Sequence, residues 1–143
     1  MSVAVAVLAP TGADTPLAIR VLSEHQIDAV ACEDMSQVAD AIRSGIGAVV
    51  LAEEALIHGA SATLREALDA QPEWSDVPML ILTAEGELTD AMGGRLAPII
   101  ARANATLLER PVRVATLVTI LRTALRARAR QFAAGKGLDR MER

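Results

Sequence analysis

Five short apolar runs alternate with stretches in which apolar residues recur every three or four positions. The runs, at residues 3–9, 28–32, 47–52, 78–83 and 105–108, have the length and β-branched content of buried strands. The stretches between them have the spacing of amphipathic helices. This alternation predicts a parallel sheet with helices packed on both of its faces.

Capping residues mark the ends of several predicted helices. Asp14 lies two residues before Pro16, which suits the first turn of a helix. Asp34 with Gln37 three residues later resembles a capping box, and Gly45 is the expected C-terminal cap of the same helix. Two further helices are predicted at residues 61–70 and 88–102.

The C-terminal quarter is predicted to be one long helix that starts at Val114. After its apolar stripe the sequence R-A-R-A-R-Q is strongly basic, so the helix is expected to project beyond the sheet and to end near Phe132. We therefore assign the domain to residues 1–133 and a flexible tail to residues 134–143. The stripe that should pack on the sheet consists of Leu117, Val118, Leu121 and Leu125.

Composition is typical of a single globular domain. The 143 residues are 52% hydrophobic and 22% charged, and Val, Leu, Ile, Ala and Met must fill the core because aromatic residues are nearly absent. Cys32 is the only cysteine, which excludes an intrachain disulfide, and it is expected to be a small buried hydrophobe. No apolar run reaches the ~18 residues of a membrane span, and the start lacks a signal peptide, so we expect a cytoplasmic location.

Charge is unevenly divided along the chain. Residues 1–109 hold 5 basic and 16 acidic side chains, a net −11, whereas residues 110–143 hold 9 basic and 2 acidic ones, a net +7. The basic segment is a candidate phosphate-binding patch, but Arg126, Arg128 and Arg130 do not share one helical face and have no aromatic platform beside them. Nucleic acid is therefore not an expected partner.

Motifs for nucleotide binding and nucleophilic catalysis are missing. The loop after the first strand, A-P-T-G-A-D, has a single glycine, too few for close approach to a pyrophosphate. Gly135-Lys136-Gly137 lacks the preceding strand and the upstream glycine of a P-loop. His25 and His58 fall at a helix end and in a loop, where we expect surface residues. We predict no enzyme activity, no metal and no cofactor.

The carboxyl ends of the strands resemble those of a known family. Thr83 supplies a hydroxyl at the end of the fourth strand, and Arg110-Pro111 follows the fifth strand. With the five βα units, these features resemble the receiver domain of two-component signalling over residues 3–127. The resemblance implies a flavodoxin-like, CheY-like, doubly wound five-stranded sheet of order 2-1-3-4-5.

Four segments are similar, more narrowly, to the receiver-like module found ahead of certain bacterial sensor histidine kinases. They are L-A-E-E-A-L, Q-P-E-W-S-D-V-P, T-L-L-E-R-P-V-R and R-A-R-A-R-Q. This likeness implies that the chain is the N-terminal part of a histidine kinase, with a kinase transmitter domain or another protein as its partner.

A receiver needs an acidic pair that holds Mg²⁺, an aspartate that accepts the phosphoryl group, a hydroxyl and a lysine. The acidic pair matches Ala9 and Pro10 here, and the acceptor matches Ala52. Thr83 keeps the hydroxyl, and Arg110 replaces the lysine. The resemblance therefore implies a pseudo-receiver, which cannot be phosphorylated and acts through protein–protein interaction. The alternative is a domain of the same fold that binds a small ligand or a phosphoryl group.

Glu53 follows Ala52 directly and leaves two alternatives open. As an acceptor it would lack the carboxylates that hold Mg²⁺ during phosphoryl transfer. It could instead be a fixed negative charge facing Thr83 and Arg110, a permanent imitation of the phosphorylated state. Otherwise Glu53 and Glu54 are both solvated loop carboxylates.

Two further expectations come from the resemblance and from the apolar and charged residues of the last helix. The peptide bond between Arg110 and Pro111 should be cis, as it commonly is in receivers. Two copies should associate through the last helix, unless its basic end is only a solvated helix terminus. The predicted interface consists of Leu121, Arg122, Leu125, Arg126 and Phe132, with Glu85, Glu87 or Asp90 of the second copy as ion-pair partners.

Overall fold

The computed structural model describes the backbone of residues 4–9, 14–56, 60–84 and 96–142 and the side chains of residues 4–9, 16–56, 62–84 and 96–136. Its strands are β1 (Val5–Leu8), β2 (Ala29–Ala31), β3 (Ala48–Ala52), β4 (Pro78–Thr83) and β5 (Asn104–Glu109). Its described helices are α1 (Asp14–Glu24), α2 (Met35–Arg43), α3 (Ala60–Asp69), α4 (Ala97–Arg102) and α5 (Val114–Glu142), with a 3₁₀ turn at Glu53–Ala55.

The five strands form one parallel sheet in the order β2-β1-β3-β4-β5. This is the predicted doubly wound, CheY-like arrangement, and the sequence pattern placed every strand within two residues of its observed ends. Of the helix predicted at residues 88–102, α4 is the described part, and residues 85–95 lie outside the description. In the described part of the chain, no helix is both long and apolar enough to cross a membrane.

Alternate residues of each strand face opposite sides of the sheet, so the two faces have separate cores. On one face, Val49 and Leu51 of β3 pack under α2, α3 and α4. On the other, Val50 of β3 and Leu80 of β4 pack under α1 and α5. Cys32 is buried in the first core. This burial is the main cause that raises the pKa of its thiol, and the negative charge of Asp34 raises it further.

Both predicted caps of α2 are observed. The Asp34 carboxylate accepts a hydrogen bond from the Gln37 backbone N–H at 3.0 Å. The return bond of the box runs one residue further back, because Gln37 Oε1 accepts from the Glu33 N–H at 2.9 Å. Gly45 follows the helix with φ of +84°, a conformation that favours glycine.

The first turns of α5 pack on the sheet as predicted. Val118 and Leu121 are buried in the core under α1 and α5, and Leu117 and Leu125 are half-buried against it. Burial of Leu121 is a correction to the predicted interface, because its side chain has no surface left for a second copy.

The far end of α5 also packs on the body, which contradicts the predicted projection after Leu125. Phe132 is buried, and its ring meets the Trp74 ring edge to face at a centroid distance of 6.0 Å. The helix does not end near Phe132 but continues to Glu142. Phe132 is therefore a core residue and not the interface residue that we predicted.

Arg128 is the buried polar centre of this contact. Its side chain is 0% exposed and lies with its guanidinium carbon 4.4 Å from the centroid of the Phe132 ring. Nε donates to the Ile46 carbonyl at 3.1 Å, and Nη1 donates to Ser75 Oγ at 2.7 Å and to Gln131 Oε1 at 2.8 Å. Burial lowers the pKa of Arg128, while the charge of Asp76 opposes that shift.

Gln131 and Gly135 complete the contact. Gln131 Nε2 donates to the Asp76 carbonyl at 3.0 Å, and its Oε1 accepts from the Asp76 N–H at 2.7 Å. Gly135 is buried against the face of Trp74, so near that a Cβ there would lie 2.8 Å from Cε3 and closer still to Cε2 and Cδ2. We name these residues the helix clasp: Ile46, Trp74, Ser75, Asp76, Arg128, Gln131, Phe132 and Gly135.

Candidate functional site

The carboxyl ends of four strands lie level with one another. Leu8 pairs with Leu51, Ala52 pairs with Leu82, and Thr83 pairs with Glu109. Ligands of doubly wound sheets bind at this edge. The register thus brings the ends of β1, β3, β4 and β5 together, as the sequence predicted.

Two of the predicted site positions hold only methyl groups. Ala52 is buried at the end of β3, and Ala9 is half-buried just after β1. Neither side chain has an oxygen that could bind Mg²⁺ or accept a phosphoryl group. Pro10, the other position matched to the acidic pair, lies outside the described residues. Among the residues that the structure describes, no group of three or more His, Cys, Asp or Glu side chains is placed to hold a metal ion.

Glu53 lies in the 3₁₀ turn after β3 and is buried. The alternative that made it a solvated loop carboxylate is therefore wrong. The pairing of β3 with β4 ends at Ala52 opposite Leu82, so Glu53 is the first residue beyond the strand.

Arg110 is held at the end of β5 by its backbone and its side chain. Its N–H and its Nε both donate to the Thr83 carbonyl, at 2.8 and 3.1 Å. Nη2 pairs with the carboxylate of Glu54. The Arg110–Pro111 bond is cis, which confirms the prediction. The carboxylate that pairs with Arg110 is that of Glu54, and not that of Glu53, the residue that the sequence suggests as a fixed charge facing Arg110.

Thr83 is fully buried at the end of β4. Its carbonyl accepts hydrogen bonds from Arg110, but its hydroxyl oxygen has no hydrogen-bond partner in the described part of the structure. A buried hydroxyl without a partner costs free energy that its methyl-bearing isostere would not. Nothing in the described packing therefore requires the hydroxyl at this position.

Two substitutions of Thr83 should separate the contribution of its hydroxyl to stability from that of its methyl group. Thr83→Val keeps the shape and should raise the free energy of unfolding by about 1 kcal/mol, since a buried unpaired hydroxyl is removed. Thr83→Ser keeps the hydroxyl, loses a buried methyl and should lower the free energy of unfolding by about 1 kcal/mol. Urea denaturation of the three proteins measures both. A less stable Thr83→Val would mean that the hydroxyl has a structural partner.

A cavity of about 600 Å³ lies beside this edge, on the face of the sheet that α1 and α5 cover. Its walls include Ala9, Ala52 and Ala84 at the strand ends, and Arg110. Sequence reasoning missed this cavity, because alanines in strands and helices look the same whether they pack tightly or leave space.

No protein-family model and no curated protein sequence matches the chain. Solved structures match over nearly its whole length. A receiver domain protein from Clostridium thermocellum is 15% identical with a TM-score of 0.67, covering 88% of this chain and 97% of that one. A CheY-like receiver domain from Methylobacillus flagellatus is 16% identical with a TM-score of 0.63, covering 85% and 98%.

The fold is that of a receiver domain. The receiver fold is also shared with a structure described as an adenylate cyclase from Rhodopirellula baltica, which is 13% identical with a TM-score of 0.74 and covers 97% of this chain and 98% of that one. At these identities, the likeness concerns the fold alone. The pairing of Thr83 with Glu109 in the parallel sheet places Thr83 and the cis Arg110–Pro111 bond at one edge.

Proposed function

We propose that this chain is a regulatory domain of two-component signalling that has the receiver fold, accepts no phosphoryl group and acts through protein–protein interaction. The observation that carries the proposal is that Ala9 and Ala52 place methyl groups at the edge of the sheet, at positions where a receiver has carboxylates. Phosphoryl transfer needs Mg²⁺ to neutralise the developing charge, and methyl groups cannot bind it.

Arg110 supports the same proposal. In a receiver the matching lysine offsets the charge of the phosphoryl group, whereas here Glu54 already supplies a carboxylate to the guanidinium. The pair gives the edge a fixed charge arrangement that needs no phosphorylation. We propose that Glu54, and not Glu53, is the permanent negative charge at this site.

The proposed context is the cytoplasmic N-terminal module of a histidine kinase. The four segments quoted above support it, and so does a last helix that is fixed to the body as far as Gly135 and runs on to Glu142. A helix held in this way would transmit a change in the domain to whatever it joins. Nucleic acid is a poorer candidate partner, because Arg128 is buried and only Arg126 and Arg130 of the basic run are exposed.

The surface proposed for self-association is the outer side of α5 with the neighbouring edge strand β5. A groove of about 410 Å³ runs between them, lined by Thr106 of β5 and by Ile120, Thr123 and Ala127 of α5. Arg126 is exposed on the same helix, whereas Arg122 donates to the His25 carbonyl at 3.1 Å on the α1 side. The predicted partners Glu85, Glu87 and Asp90 lie outside the described residues.

We expect weak dimers of wild-type protein, with a dissociation constant on the order of 100 μM. Thr123→Arg puts a charge into the groove at an exposed position and should abolish the dimer without loss of stability. Ser36→Arg on the exposed side of α2 is the matched control and should leave association unchanged. Sedimentation equilibrium compares the three, and a wild-type protein that stays monomeric above this concentration would contradict the proposal.

A further inference from the structure

The cavity at the strand ends has the size and lining of a site for a small molecule. Its volume of about 600 Å³ lies within the range of ~300–1,000 Å³ that is typical of ligand pockets. It lies between the carboxyl ends of the strands and the helices α1 and α5, which contribute Ala18 and Leu117. This is the crevice in which doubly wound proteins bind their ligands.

Alanines make the space. Ala9, Ala52 and Ala84 line the cavity from the strand side, and Ala18 lines it from α1. The same face of the sheet is well filled further from the edge, where Leu80, Val118 and Leu121 are buried. The core under α1 and α5 thus opens into an apolar chamber only near the site.

One charged group borders this apolar chamber. Among the lining residues that the structure describes, Arg110 alone is charged. Its guanidinium has five N–H donors, and the described contacts use Nε toward Thr83 and Nη2 toward Glu54. Within the described part of the chain, no contact uses the Nη1 group, which is therefore available for another acceptor. A planar guanidinium is well matched to a carboxylate.

We propose that this cavity binds a small amphipathic carboxylate, with its apolar body against the alanines and its carboxylate on Arg110 in competition with Glu54. The apolar walls favour a hydrocarbon or aryl body over a sugar or a nucleotide, whose polar groups would be left without partners. The proposal does not depend on the proposed protein–protein function, since it concerns the occupant of the cavity alone.

Octanoate, octanol and octylamine test the proposal on the wild-type protein by isothermal titration calorimetry. They share an unbranched eight-carbon skeleton and differ in the head group. Octanoate should bind at least about tenfold more tightly than octanol, because a charge-assisted hydrogen bond is added. Octylamine should bind more weakly than octanol, since its charge repels Arg110. Equal affinity for the three, or no saturable binding of octanoate, would overturn the proposal.

Variants locate the binding. Arg110→Gln should reduce the octanoate affinity to that of octanol, whereas Glu54→Gln should raise it by removing the competing carboxylate. Arg102→Gln is the matched control, because Arg102 also pairs with an exposed carboxylate, that of Asp69, but does not line the cavity. A Glu54→Gln variant that loses octanoate affinity would contradict the competition.

Filling the cavity is the second location test. Ala52→Leu should abolish binding of both octanoate and octanol, and Ala18→Leu does the same from the opposite wall if the first variant folds poorly. If octanoate still binds to a folded Ala52→Leu or Ala18→Leu protein, the ligand lies elsewhere and the proposal is overturned. Sedimentation of the Thr123→Arg variant reports on the protein–protein function separately.

Discussion

Arg128→Ala should lower the free energy of unfolding by about 2–4 kcal/mol, because its guanidinium is buried and donates three hydrogen bonds within the helix clasp. The substitution removes this donor from the buried Ile46 carbonyl and from the half-buried Ser75 hydroxyl. It also removes the cation from the Phe132 ring. The far end of α5 should then separate from the body while its first turns stay packed.

Arg130→Ala is the matched control, since Arg130 is two residues further along the same basic run and exposed. Its free energy of unfolding should change by no more than about 0.5 kcal/mol. Arg128→Lys should fall between the two, because an ammonium group cannot reproduce the fork of the guanidinium. Urea denaturation gives the three values, and amide exchange distinguishes residues 126–136 from residues 114–121. Equal stability of the Arg128→Ala and Arg130→Ala proteins would show that the clasp does not hold the helix.

Gly135→Ala should lower the free energy of unfolding by about 1–3 kcal/mol, because the added Cβ would overlap the Trp74 ring. Helix propensity alone would give the opposite sign, since alanine is favoured over glycine inside a helix by about 1 kcal/mol. The sign of the change therefore decides between a helix packed against Trp74 and a helix end surrounded by solvent.

A double-mutant cycle isolates this contact. In a Trp74→Ala background the ring is gone, so Gly135→Ala should become neutral or stabilising by up to about 1 kcal/mol. Thermal or urea unfolding of the four proteins supplies the coupling energy. Destabilisation by Gly135→Ala of similar size in both backgrounds would mean that Trp74 is not the obstacle.

The sheet was predictable because its signal is local. Each strand is a short apolar run, and parallel strands buried on both faces have to be apolar throughout, as the burial of β3 illustrates. The caps Gly45 and Asp34 were predictable for the same reason, because a helix cap is determined by residues of the helix that it ends. The order of the strands came from the family resemblance.

The helix clasp was not predictable because its partners are distant in sequence. Three arginines alternate with alanine in R-A-R-A-R-Q, and only contacts with Ile46 and Ser75 single out Arg128. Gly135 weakens a helix by propensity, which favoured an early end, but tertiary packing on Trp74 overrides that preference. The predicted division into a domain at residues 1–133 and a flexible tail at residues 134–143 stays a prediction, although the backbone remains helical to Glu142.

The location of the site residues was predictable, but the glutamate that pairs with Arg110 was not. Thr83 and Arg110 lie at the expected edge, since strand ends in a parallel sheet are level. The 3₁₀ turn at Glu53–Ala55 follows β3 at once and decides which glutamate reaches Arg110. Such a turn carries no sequence signal that separates Glu53 from Glu54. A cavity also leaves no signal in the sequence, because it is the space that neighbouring side chains do not fill.

Phosphorylation is the most direct test of the proposed function. The wild-type protein is incubated with acetyl phosphate and Mg²⁺, quenched, and measured at once by intact-mass spectrometry, with a receiver that carries the full acidic set as positive control. We expect an unchanged mass for this protein, because Ala9 and Ala52 offer neither metal ligand nor nucleophile. An added mass of about 80 Da, one phosphoryl group, on Glu53 or any other residue of the edge would contradict it.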